Sequence, residues 1–210
     1  MTGFDLIAPF YDRLASLVFG RTIRDSQTEF LQALPPRGTV LLIGGGTGWL
    51  LQRLLEVRPE IEVWYVEKSA RMLELSREKL PSKSQPNVRF IHGTETDIPE
   101  APLFDGIITP FFLDLFDGER LQEVWSRLYK SLKPEGYWLV ADFRIPEGSF
   151  RFAARVLVSV MYLFFRICCG IQGRKLPHVE DLFDTGSFRL ASRKLFANEM
   201  IGAFLFLKIQ

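Results

Sequence analysis

The feature that most constrains this chain is the run Gly44-Gly45-Gly46-Thr47-Gly48, four glycines in five residues. It follows Thr39–Ile43 (TVLLI), a short apolar run rich in β-branched residues. Such a run reads as a strand buried on both faces, the kind found in parallel sheets. Beyond the glycines, Trp49, Leu50, Leu51, Leu54 and Leu55 recur at helical spacing until Pro59 marks the stop. Glycines between such a strand and helix let the backbone bend sharply and approach a ligand without a Cβ in the way. The helix N-terminus then faces that ligand with free N–H groups.

Spacing narrows the ligand. The dinucleotide fingerprint is G-x-G-x-x-G, which opens a wide phosphate seat. Here the order is Gly44-x-Gly46-x-Gly48, and Trp49 stands where that fingerprint wants its third glycine. The turn is tighter and leaves less room for a pyrophosphate. A second apolar strand, Ile61–Val66, ends at Glu67, 19 residues beyond Gly48. A carboxylate there can accept hydrogen bonds from both ribose hydroxyls of a nucleoside. The ligand implied has a ribose and no essential pyrophosphate.

The rest of the chain continues the alternation. A helix is expected from about Ser69, a plausible N-cap, to Leu80. Val88–Ile91 and Gly106–Thr109 read as the third and fourth strands, Leu121–Leu132 as a helix, and Gly136–Phe143 as the fifth strand. Strands alternating with helices predict a parallel α/β sheet. The end differs: Phe188–Phe196 and Ile201–Ile209 are joined by only Ala197-Asn198-Glu199-Met200, which makes them an antiparallel hairpin. Ile201–Leu207 (IGAFLFL) is apolar on both faces, so the last strand is expected inside the sheet and the one before it outside.

Composition sets the outer limits. The chain has 210 residues, 47% hydrophobic and 24% charged, which fits one globular domain. Its net charge of +1 offers no global basic excess for gripping nucleic acid. The two cysteines, adjacent at Cys168 and Cys169, build neither a disulfide framework nor a zinc site, and no metal is expected. A reducing cytoplasm is the expected compartment, and with no basic or apolar leader pattern in MTGFDLIAPFYD no secretory signal is expected.

VLLIGGGTG, VWYVEKSARMLELSREK, FDGIITPFFLDLF and LKPEGYWLVADF resemble the successive motifs of class I S-adenosylmethionine-dependent methyltransferases. Similarity is greatest to the ubiquinone/menaquinone-methyltransferase-like group, whose leading helix FDLIAPFYDRL resembles. The resemblance covers nearly the whole chain and is weakest over residues 145–178. It implies a Rossmann-like seven-stranded, mostly parallel sheet with a C-terminal antiparallel hairpin and helices on both faces. Within a single domain it implies an N-terminal helical cap (1–38), a cofactor-binding core (39–143), a variable lid (144–178), and a helix with the terminal hairpin (179–210).

The resemblance also implies a site. Gly44, Gly45, Gly46 and Gly48 would hold the methionine part and ribose edge of S-adenosyl-L-methionine, and Glu67 the ribose hydroxyls. Lys68 and Met72 would flank the adenine, with Thr94 and Glu95 at its amino group. Thr109 and Phe111 would lie under the sulfonium end, and Tyr11 would close over the cofactor. Three residues depart from the family pattern. Leu42 and Thr94 stand where acids are usual, and Glu135 replaces a turn glycine. The acid missing at Leu42 would order the methionyl end, and a hydroxyl at Thr94 accepts more weakly than a charged group.

Methyl transfer asks mainly for alignment and exclusion of water. A base is needed only when the acceptor still carries its proton. Asp114, Asp142, Arg144 and His178 are expected near the open end of the sheet, with Asp114 and His178 as the catalytic candidates. The acceptor is expected to be a small or lipophilic molecule. Two other functions fit the glycine bend: a nucleotide-binding oxidoreductase, and a cofactor-binding paralogue without catalysis.

Ser149–Cys169 is the most unusual stretch. Arg151, Arg155, Ser159, Tyr162 and Arg166 fall on one narrow helical stripe, and the rest is apolar. Residues 144–175 carry a net +5 and the remainder −4. The longest uncharged run, Val156–Phe165, is ten residues, where spanning a bilayer takes ~20. Three environments fit this helix: packing on the domain or a second subunit in a homodimer, a lid over a lipophilic acceptor, or peripheral rest on an anionic membrane.

Overall fold

The computed structural model describes residues 20–148, 151–169 and 176–209. Seven strands form one sheet: β1 (Arg37–Ile43), β2 (Glu60–Glu67), β3 (Val88–His92), β4 (Phe104–Pro110), β5 (Leu132–Phe143), β6 (Phe188–Phe196) and β7 (Ile201–Lys208). Their order is β3-β2-β1-β4-β5-β7-β6. The pairs from β3 to β5 are parallel, and β7 runs antiparallel to both β5 and β6. From β1 the chain first builds outward through β2 and β3, then returns to lay β4 on the other side. Ligands of open α/β sheets bind beyond the strand C-termini at such a reversal.

The helices are α1 (Thr22–Thr28), α2 (Trp49–Val57), α3 (Ala70–Lys79), α4 (Gly118–Ser131), α5 (Arg151–Cys169) and α6 (Val179–Phe183). They divide the core in two. Val40 and Leu42 of β1 point to one face, with Leu50, Leu51 and Leu54 of α2 and Leu73 of α3. Leu41 and Ile43 point to the other, with Leu121, Val124 and Leu128 of α4. Burying a leucine or isoleucine contributes roughly 1.5–3 kcal/mol, so β1 is fixed from both sides. The second face is rich in aromatic rings: Phe183 of α6 stacks on Phe206 of β7 at 3.9 Å, edge-on to Trp138 at 4.9 Å.

The hairpin is arranged as its hydrophobicity predicts. β7 is buried along nearly its whole length between β5 and β6. β6 takes the edge, where Arg189, Arg193 and Lys194 guard against further pairing. Two boundaries differ from the sequence reading by more than two residues. β5 begins at Leu132 rather than Gly136, because Leu132 pairs with Phe104 before a register shift, with Glu135 at φ 60° in the irregular stretch. α4 begins three residues early, at Gly118, because apolar spacing marks only the buried part of a helix.

Candidate active site

The glycine strap sits at the C-terminal ends of β1 and β2 and is held from below. Gly44 N–H donates to the Val66 carbonyl at 2.9 Å, and the Tyr65 hydroxyl donates to the Gly46 carbonyl at 2.8 Å. Lys79 of α3 donates to Thr47 Oγ1 at 2.9 Å. Glu67, buried at the tip of β2, ties the strap to α3. Its Oε2 accepts from Gly46 N–H at 3.0 Å and its Oε1 from Ser69 N–H at 2.9 Å. Ser69 caps α3 as expected, accepting from Met72 N–H at 3.2 Å.

The bend is not bare along its whole length. A Cβ at Gly46 would meet nothing within 4 Å, and its φ of 65° is a left-handed conformation that suits glycine. The other three glycines lie against the protein itself. At Gly48 (φ 87°) a Cβ would stand 2.6 Å from the Ser76 Cα, so glycine lets α2 start hard against α3. Gly44 lies under Phe112 and Gly45 over the Tyr65 ring. Only at Gly46 would an added Cβ meet open space, so the bend is packed against the protein at its other three glycines.

The residues expected around an adenine have mixed surroundings. Met72 is buried, and Lys68 is exposed with its carbonyl accepting from His92 Nε2 at 3.1 Å. Thr94 caps the short 3-10 turn Glu95–Asp97: its hydroxyl accepts from Thr96 N–H at 3.3 Å, and Asp97 Oδ2 accepts from Thr94 N–H at 2.8 Å. Glu95 is buried and ion-paired with Arg120 of α4. Both side chains are thus engaged in local structure. The spacing Thr94-x-x-Asp97 is that of a capping box, a signal that sequence reading could have used.

Thr109 departs from expectation. Its hydroxyl is fully buried and accepts from Trp138 Nε1 at 3.0 Å. Alternation along β4 turns this side chain into the α4-facing core, so it does not line the strand ends. Phe111, just beyond β4, holds φ 51° and packs its ring on Phe143 with centroids 4.7 Å apart. Its N–H donates to the Ala141 carbonyl at 2.6 Å. Tyr11 lies outside the described residues.

The C-terminal ends of β4 and β5 bring two acids together. Asp114 sits in the 3-10 turn Leu113–Leu115, and Asp142 near the end of β5; both are buried, and the charge of Asp114 bears on Asp142. Oδ1 of Asp114 and both oxygens of Asp142 have no hydrogen-bond partner among the described residues. The N–H groups of Leu113 and Asp114 lie near Asp142 but outside hydrogen-bond geometry. Burial raises the Asp114 carboxyl to about 6, and burial together with the Asp114 charge lifts Asp142 well above the carboxylate range. Two buried carboxyls whose charges bear on one another resist ionising together. Tyr162 of α5 closes over them, donating to the Asp114 carbonyl at 2.8 Å, and burial beside two acids raises its phenol. His178 is exposed at the start of α6 with no capping bond, and Arg144 pairs with Glu199 at 3.6 Å.

Comparison with known proteins decides the family. The family described as Methyltransferase domain matches residues 41–138. Over 178 residues the chain is 30% identical to a demethylmenaquinone methyltransferase of Deinococcus radiodurans, covering 81% of this chain and 70% of that protein. The chain belongs to the class I S-adenosylmethionine-dependent methyltransferases. It is also 32% identical over 124 residues to a malonyl-[acyl-carrier protein] O-methyltransferase of Halalkalibacterium halodurans, covering 57% of this chain and 42% of the relative. The chain thus spans about two fifths of the length of that relative. A solved 1,6-didemethyltoxoflavin-N1-methyltransferase of Burkholderia thailandensis, with S-adenosylhomocysteine bound, shares the fold. Its TM-score is 0.68 at 15% identity, with 99% of this chain and 87% of that chain covered.

The strap fits the family's cofactor in two respects: open space at Gly46 and a buried carboxylate, Glu67, fixed beside it at the tip of β2. In a third respect it offers less. Leu42, where the family usually has an acid, is fully buried in the α2-facing core. Tyr65 under the strap, Arg120 on Glu95 and Tyr162 over the acid pair were not singled out as supports by sequence reading. Each acts through a contact between elements far apart in the chain.

Proposed function

We propose that this chain transfers the methyl group of S-adenosyl-L-methionine to a small or lipophilic acceptor. The observation that carries the reading is the Gly46–Glu67 arrangement: a carboxylate fixed by two backbone N–H groups beside a backbone position open to a ligand. Glu67 would accept from the ribose hydroxyls, Gly46 would lie against the nucleoside, and Met72 and Lys68 would border the base. Residues 39–143 would form the cofactor-binding core and 144–178 the cover of the acceptor end. When bound, the cofactor supplies a methyl group already made electrophilic by its sulfonium. The chain's own contribution is alignment, exclusion of water and management of one proton.

Asp114 is the residue to manage that proton. A carboxylate with a pKa near 6 is half ready to accept a proton close to neutrality, and Asp142 beside it supplies the proton that keeps the pair singly charged. Methyl transfer to a hydroxyl-bearing acceptor is then expected to rise as pH increases through about 6. His178, exposed at the start of α6, has no observation favouring a catalytic role. The relatives named for demethylmenaquinone and for malonyl-[acyl-carrier protein] differ in acceptor. The apolar surface of α5 favours the lipophilic kind, with Phe152 79% and Val160 59% exposed.

Thermal denaturation tests the reading. Stabilisation by S-adenosylhomocysteine and none by NAD(P) is the expected result. Stabilisation by NAD(P) alone would turn the assignment to an oxidoreductase. Binding of S-adenosylhomocysteine without turnover of any acceptor would favour a cofactor-binding paralogue, the reading that Leu42 supports.

A further inference from the structure

The helix α5 carries an apolar ridge and an arginine flank that the site does not use. Ala154 and Val158 are buried against Met200, and Tyr162 reaches Asp114, so this stripe fastens the helix to the domain. On the opposite side Phe152, Val156 and Val160 succeed one another at i, i+4 and i+8, exposed by 79%, 49% and 59%, with Leu157 at 36% beside them. Between the two stripes run Arg151, Arg155 and Ser159, all exposed, with Arg166 on the same flank. The helix contains no acid, and none of its three arginines forms an ion pair with a described residue. No helix among the described residues is long and apolar enough to cross a membrane.

An apolar ridge of this size on a helix needs a cover, and the charge beside it says which. A second copy of the chain laid α5 against α5 would bring arginines together with no acid on either helix to answer them. An anionic bilayer suits both features. Apolar side chains enter the boundary of headgroups and acyl chains, and arginines at the flank reach lipid phosphates.

We infer that α5 is a membrane-docking helix that rests the domain on anionic lipid through Phe152, Val156 and Val160, with Arg151 and Arg155 at the headgroups. This deepens the reading of a lipophilic acceptor. The same helix covers the Asp114–Asp142 pair through Tyr162, so docking sets the roof of the acceptor end directly on the phase where such an acceptor dissolves. Binding to the surface itself does not require the chain to be a methyltransferase.

Vesicle flotation of the whole chain tests this. One set of vesicles is phosphatidylcholine alone and the other contains phosphatidylglycerol, each at low and high salt. Binding to the anionic set is expected to be roughly tenfold or more tighter, and weakened by salt. Phe152→Ser with Val160→Ser should abolish flotation. Arg151→Gln with Arg155→Gln should remove the preference for phosphatidylglycerol. These side chains are exposed, so the variants should keep the wild-type melting temperature and S-adenosylhomocysteine affinity, both measured on the same samples. The inference is overturned if the wild type floats with neither set, or if the serine variant floats as well as the wild type. It is also overturned if the ridge changes alter only a concentration-dependent dimer in sedimentation. Failure of the cofactor reading would instead be seen as absent S-adenosylhomocysteine binding, whatever the vesicles do.

Discussion

Glu67 holds Gly46 and Ser69 by their N–H groups, and the proposed function adds the ribose hydroxyls to its carboxylate. Glu67→Ala is expected to weaken S-adenosylhomocysteine binding by roughly 1.5–3 kcal/mol, the worth of hydrogen bonds to a charged group, and calorimetry would measure it. Gly46→Val fills the one open position and forces a branched residue to positive φ, so loss of measurable binding is expected by the same method. The acid pair predicts a pH effect on stability. Asp114 has its carboxyl raised from 3.8 to about 6, so between those values the folded chain holds a proton that the unfolded chain releases. Stability must therefore fall as pH rises through that window, and the raised Asp142 extends the fall upward. Asp142→Asn should leave the melting temperature little changed near pH 4 and raise it near pH 8, as scanning calorimetry would show. An equal fall in both proteins would contradict a buried pair whose charges bear on one another. Glu67 was legible in the sequence because the end of a strand fixes its place. The pair was not, because Asp114 and Asp142 meet only through the adjacency of β4 and β5.

At the scale of elements, the order of strands followed from hydrophobic pattern. IGAFLFL has no polar face to give to solvent, so β7 had to enter the sheet and leave β6 at the edge. Phe204→Ala, in the middle of β7, is accordingly expected to cost about 3–5 kcal/mol in a denaturant titration. Local irregularities were harder to read. Glu135 replaces a glycine of the family pattern and occupies φ 60° on an exposed stretch of β5. Glu135→Gly should relieve about 1 kcal/mol of left-handed strain, less what glycine adds to the entropy of the unfolded chain, a net gain readable in the same titration. The stripe on α5 was legible as a line of residues, yet only packing shows that Tyr162 turns inward while Arg151 and Arg155 stay in solvent. The burial of the Thr109 side chain was hard to read for a similar reason. Its position at a strand end was evident, but the face to which β4 turns it depends on Trp138 across the sheet.

For the whole molecule, the fold gathers three kinds of chemistry at one end of the sheet: an open backbone position with a carboxylate beside it, a buried acid pair, and a helix that is apolar outside and anchored inside. The reversal of strand order between β1 and β4 makes that end a crevice, and the family resemblance gives the cofactor suited to it. The most direct test is a crystal structure of the chain with S-adenosylhomocysteine. The expected result is a ribose with both hydroxyls on Glu67 and the nucleoside passing against Gly46. A nucleoside bound elsewhere, or a strap that stays closed over Gly46 with Glu67 turned away from the ligand, would contradict it.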